Sequence, residues 1–127
     1  MKISKGMLDH YIGHVTDWYV AEHDEPADEL SDYYDCVIRI KTQATRRKDL
    51  DILRLGINYL RCHPEIDTKD YGKGMYPYDD EEVREILDYI YSVIWSDNTK
   101  INCEEVRNIE LVNSNRFDWW KSRGVKP

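Results

Sequence analysis

No apolar run in the sequence approaches the roughly 18 residues that a membrane-spanning helix needs. The opening residues, Met1-Lys2-Ile3-Ser4-Lys5-Gly6, are not followed by the apolar stretch of a secretory signal, so a soluble, cytoplasmic domain is expected. Paired cysteines are lacking too. Cys36, Cys62 and Cys103 are odd in number, far apart and never arranged as C-x-x-C. The expectation is reduced thiols acting as small apolar side chains, with neither a disulfide framework nor a zinc site. Internal repeats, low-complexity tracts, a Gly-rich phosphate loop, a G-x-S-x-G elbow and a Cys/His nucleophile pair are all missing, which points to no cofactor and away from the commonest enzyme classes. Positive charge is in deficit: 18 basic residues stand against 25 acidic ones, a net charge of −7. A surface of that sign repels phosphates, so direct nucleic-acid binding by the whole face is disfavoured.

What is present fits one globular domain over residues 1–127, with 34% charged and 41% apolar residues. Its charge is unevenly spread. Residues 39–61 carry seven basic side chains (Arg39, Lys41, Arg46, Arg47, Lys48, Arg54, Arg61) against Asp49 and Asp51. The flanking stretches are acidic, and there aromatic residues crowd beside carboxylates: Asp17-Trp18-Tyr19, Asp32-Tyr33-Tyr34-Asp35 and Tyr76-Pro77-Tyr78-Asp79-Asp80. Anionic surfaces carrying Tyr and Trp suit a basic protein partner, since charge steers the encounter and ring area supplies affinity.

The hydrophobic spacing predicts an all-α bundle of five or six helices. A first helix over Ser4–Glu22 places Leu8, Tyr11, Ile12, Val15, Trp18 and Tyr19 on one stripe. Pro26 fits the first position of a second helix, which carries Leu30, Tyr33 or Tyr34, Val37 and Ile40 and fades after Lys41. Residues Cys36 to Thr42 also alternate as a strand would. Thr45 can cap a third helix over Arg46–Cys62, whose wide apolar face marks it, with the fourth, as the centre. Residues 63–78 have no periodicity and read as one long loop. Asp79 with Glu82 forms a capping box for a fourth helix through Ile94, and Asn102 with Glu105 repeats it for a short fifth. A last turn over Arg116–Lys121 would pack Phe117 and Trp120 on the bundle.

Three constellations could carry chemistry. His10, His14 and Asp17 share one edge of the first helix at metal-ligand spacing, but Tyr11 stands where a zincin has its catalytic Glu. His23-Asp24 sits at a predicted helix end, where such residues serve as caps. Glu81, Glu82 and Glu85, with Asp88 one turn on, resemble the Mg²⁺-binding helix of all-α nucleotide pyrophosphohydrolases of the MazG kind, with Glu105 as the nearest further ligand. That likeness implies nucleotide hydrolysis; Asn108 stands where the second motif would have Asp. The basic run Lys41–Lys48 could touch phosphate as part of a helix-turn-helix, with Thr42–Thr45 as the turn. Otherwise these cations pair with acids on the surface, and replacing Arg47 costs about 0–1 kcal/mol.

Tyr71, Met75, Tyr76 and Tyr78 of the long loop are residue types enriched at interfaces. His63-Pro64, Tyr76-Pro77 and Asp79-Asp80 leading into an amphipathic helix resemble the spacing in nuclease-colicin immunity proteins, without the doubled Tyr before the second Pro and in a longer chain. The resemblance implies an acidic helical protein that blocks a basic nuclease through Tyr and carboxylates, a physical type shared with phage-encoded acidic inhibitors. The expected function is a non-catalytic inhibitor of a basic, nucleic-acid-acting protein. Its expected contacts are Asp17, Trp18, Asp32, Tyr33 and Asp35 from the first hairpin, and Tyr76, Tyr78, Asp79 and Asp80 beside the long loop.

Overall fold

A computed structural model describes residues 1–96 and 101–126. The chain begins with strand β1 (Lys2–Ser4), continues into α1 (Lys5–Thr16) and α2 (Trp18–His23), and then makes a 3₁₀ turn at Leu30–Tyr33. Helices α3 (Tyr34–Arg46), α4 (Leu50–Cys62) and α5 (Asp80–Ile94) follow, then a 3₁₀ turn at Glu104–Val106, strand β2 (Glu110–Val112) and α6 (Arg116–Ser122). Among the described residues the fold is all-α apart from one parallel pairing of β1 with β2, Ile3 opposite Leu111. Strands of three residues are too short to show a period, and the pair was not expected. Among the described residues no helix is long and apolar enough to cross a membrane.

The expected first helix exists but bends at Asp17, which closes α1 and opens α2. Its N-terminus is capped by Ser4, whose hydroxyl accepts the Met7 N–H at 3.1 Å. The first part of the apolar stripe is buried as its spacing implies, with Leu8, Tyr11, Ile12 and Val15 in the core, but beyond the bend Tyr19 is half-buried and Trp18 is 40% exposed. Burying side chains of this size contributes about 1.5–3 kcal/mol each. Helix α1 packs on α2, α3, α4, α5 and α6. It, rather than the third and fourth predicted helices, is the centre.

The second predicted helix starts later and ends later. Pro26 lies outside any helix, Glu29 and Asp32 form a reciprocal box at the 3₁₀ turn, and α3 runs through Arg46. Residues 36–42 are therefore helical, not extended. Thr45 caps nothing; its hydroxyl bonds back to the Lys41 carbonyl at 2.7 Å inside α3. The break falls instead at Arg47–Asp49, where Lys48 takes a φ of 60°. The capping box of α5 forms as expected, with Asp79 accepting the Glu82 N–H at 2.8 Å and Glu82 accepting the Asp79 N–H at 3.1 Å. The short fifth helix is only a 3₁₀ turn. In α6 Trp120 is buried, while Phe117 is 54% exposed.

Cys62, at the end of α4, and Cys103 are joined by a disulfide with Cα atoms 5.7 Å apart. This overturns the reading of all three cysteines as free thiols; only Cys36 is free, and it is buried. Sequence spacing carries no information about a contact made across 41 residues. A reducing compartment no longer follows from cysteine usage.

Candidate functional site

The acidic segments that flank α3 and open α5 meet in space through two tyrosines. Tyr33 is 3% exposed, and its hydroxyl lies 3.0 Å from that of Tyr78, a residue 45 positions away. The Tyr33 hydroxyl also accepts the Ala27 N–H at 3.1 Å, fixing the chain around Pro26. Burial, and next the bond to Tyr33, push the Tyr78 phenol well above the usual range, so it stays protonated. Beside this contact lies a cleft of about 130 Å³. Its apolar lining is Pro26, Leu30 and Ile86; its charged lining is Asp28, Glu82 and Glu85.

The surroundings carry one sign. From Asp24 to Asp35 there are six acids and no base. From Asp79 to Glu85 there are five acids and one base, Arg84. That arginine turns inward, donating to the carbonyls of Leu60 at 2.8 Å, His63 at 3.0 Å and Ile66 at 2.5 Å, and pairing with Asp80 at 3.0 Å. Its charge steadies the 63–78 segment and leaves the face of α5 anionic. Tyr34, 51% exposed, and Leu30 add apolar area at the surface.

The expected contact residues divide accordingly. Asp32 and Asp35 are exposed, and Tyr76 is exposed with its ring edge against Tyr78 at 4.7 Å. Tyr33 and Tyr78 are buried, so neither presents a ring to a partner; the exposed ring next to Tyr33 is Tyr34, which sequence periodicity left undecided. Asp79 caps α5, and Asp80 takes the Thr68 N–H and hydroxyl, both at 2.7 Å. Trp18 is exposed, but it sits against a cation and an imidazole: Arg39 lies 5.3 Å over its ring and His14 packs at 4.1 Å. Neither it nor Asp17 lines the cleft.

The carboxylates of the Mg²⁺ alternative do not converge. Glu82 is in the capping box, Asp88 pairs with Arg61 at 2.8 Å, and Glu105 accepts from Arg54 at 2.7 Å and Asn58 at 2.8 Å. Glu81 and Glu85 are exposed. Among the described residues no group of three or more His, Cys, Asp or Glu side chains is placed to hold a metal ion. Nor does the expected helix-turn-helix turn exist, since Thr42–Thr45 is inside α3.

A second cluster, buried and unexpected, surrounds Asp49. This carboxylate is 0% exposed and accepts from the Tyr11 hydroxyl at 2.6 Å, Trp120 Nε1 at 2.7 Å and Trp119 Nε1 at 3.2 Å. Arg123 pairs with it at 3.2 Å. Arg47, 8% exposed, stacks its guanidinium 4.2 Å from the Trp120 ring and lies 3.3 Å from His10 Nε2. It is no surface cation, so the argument for a small cost on its replacement, which rests on exposed ion pairs, does not apply to it. His14 is 2% exposed, with neither ring nitrogen hydrogen-bonded among the described residues. Burial first, and then the charges of His10, Arg39 and Arg47, lower its pKa to about 4; burial and Arg47 do the same for His10. Both imidazoles are neutral at pH 7. The sequence signal was there, in two adjacent tryptophans and a basic turn, but nothing in it named the partner carboxylate. No known protein family, curated protein or solved structure matches the chain.

Proposed function

We propose that this chain is a non-catalytic binding protein that engages and neutralises a basic protein through the cleft between the Asp24–Asp35 segment and α5. One observation carries this: two acid-rich segments, distant in sequence, are locked together at the Tyr33–Tyr78 hydroxyl contact and line one cleft with apolar and carboxylate side chains. A cleft of about 130 Å³ is well below the roughly 300–1,000 Å³ of small-molecule sites, and its size suits one inserted side chain. The carboxylates at its mouth favour Lys or Arg, whose apolar stem would lie on Pro26 and Ile86 while the charge meets Asp28, Glu82 or Glu85. Leu30, Tyr34 and Tyr76 would widen the contact, with Asp32 and Asp35 at its edge.

A protein that handles nucleic acid is the partner class, because clustered Lys and Arg are what such proteins present and what this field attracts. The likeness to immunity proteins and phage-encoded inhibitors leads to the same class. Capture from the source cell with the wild-type chain and with an Asp28→Lys/Glu85→Lys chain provides the test. The wild-type chain should retain a basic protein whose association slows at least tenfold between about 50 and 300 mM salt, and the reversed chain should lose it. Recovery of no protein, or equal retention by both chains, contradicts the proposal.

A further inference from the structure

A cavity of about 620 Å³ opens between the start of α1, α4, the 63–78 segment and β2. Among the described residues it shares no lining residue with the acidic cleft. Unlike the cleft, it falls within the roughly 300–1,000 Å³ range of small-molecule sites. Its wall is held by the protein's own hydrogen bonds. On one side Arg84 holds the Ile66 carbonyl at 2.5 Å and Asp80 holds the Thr68 N–H at 2.7 Å. On the other, the Asp9 carboxylate accepts the Gly72 N–H at 2.6 Å, and the Thr16 hydroxyl donates to the Gly72 carbonyl. Gly72 has a φ of 65°, and a Cβ there would lie 2.9 Å from the Gly13 backbone nitrogen, so the chain meets α1 as only glycine can. From the stretch between these anchors, Ile66, Asp67, Asp70 and Tyr71 line the cavity.

The lining has two kinds of surface. Tyr59 and Tyr71 supply aromatic area, while Asp9, Asp67, Asp70 and Glu110 supply carboxylates against one cation, Lys5, among the described residues. Asp67 is paired with Lys69 at 3.4 Å; Asp70 and Glu110 make no ion pair among the described residues. Burial, then the nearby Asp9 charge, push the Tyr71 phenol upward, which keeps its ring neutral beside the carboxylates. We propose that this cavity binds an organic cation, an amine or guanidinium on a short apolar stem. Aromatic faces attract such cations, carboxylates give them charge-assisted hydrogen bonds, and an anion would meet a repulsive lining. The space exceeds what a bare ion needs. The cation comes either as a free small molecule or as a Lys or Arg side chain of a protein.

Titration followed by calorimetry and by the Tyr ring resonances separates these sources. The probes are 1,4-diaminobutane and n-butylguanidinium, 1-butanol and butyrate as the neutral and anionic controls, and a short peptide with one internal Arg. Saturable binding of either cation, at least tenfold tighter than 1-butanol and weakened at least tenfold by Asp70→Asn/Glu110→Gln, supports a free ligand. Binding of the peptide alone, lost in the same double variant, supports a protein side chain. Equal binding of 1-butanol, tighter binding of butyrate, cation binding unchanged in the double variant, or no binding of cation and peptide alike overturns the proposal. The Asp28→Lys/Glu85→Lys chain should bind the probes as the wild type does, so this site and the cleft fail or stand separately.

Discussion

Asp49 and Glu85 carry the same carboxylate in contrasting settings. Asp49 is fully buried and surrounded by a phenol, two indoles and a guanidinium, while Glu85 is exposed at the mouth of a cleft. A buried carboxylate is tolerable only when donors replace its water, and once so surrounded it has no capacity for a partner. An exposed one costs nothing to keep and holds its lone pairs for whatever arrives. Cations are committed inside the molecule too: Arg47 stacks on Trp120, and Arg84 turns inward to three carbonyls, which leaves the face of α5 beside the cleft anionic. Position, not residue type, divides structural charge from available charge in this protein.

The largest expected effect comes from breaking the buried setting. Asp49→Ala leaves the Arg123 charge without its carboxylate partner and three neutral donors facing no acceptor, and should lower the free energy of unfolding by about 3–5 kcal/mol, read from urea titration. Acidification probes the same region. In the folded protein the pKa of His14 is held at about 4, against 6.5 when unprotected, so the unfolded chain binds the extra proton first. Stability is therefore complete above about pH 6.5 and falls as pH drops toward 4, by about 3 kcal/mol for this imidazole. A His14→Gln chain should show a shallower loss over that window. Arg47→Glu removes a cation stacked on Trp120 and places a carboxylate near Asp49, and should cost about 2–3 kcal/mol. The smallest effect sharpens the contrast: Asp28→Asn/Glu85→Gln should shift stability by less than about 0.5 kcal/mol while weakening partner binding at least tenfold.

What could be read from the sequence follows the range of the interactions involved. The capping box at Asp79 and the stripe Leu8–Val15 depend on neighbours three or four residues away, and both form where expected. Thr45 looked like a cap because Ser and Thr bond locally in either role; tertiary packing kept α3 going for another turn. The disulfide, the parallel strand pair and the indole bonds to Asp49 each join residues at least 41 positions apart, beyond the reach of any local pattern. The acidic segments of the cleft were legible one by one from their composition. Their meeting at Tyr33 and Tyr78 was not, because periodicity could not decide which of Tyr33 and Tyr34 turns inward.

The central claim is that these two segments act as one surface, and hydrogen–deuterium exchange on the captured complex tests it most directly. Partner binding should slow exchange in residues 26–35 and 79–86 together, with both protections lost at high salt. Protection of only one segment, or protection confined to α6 or the far end of α4, would contradict it.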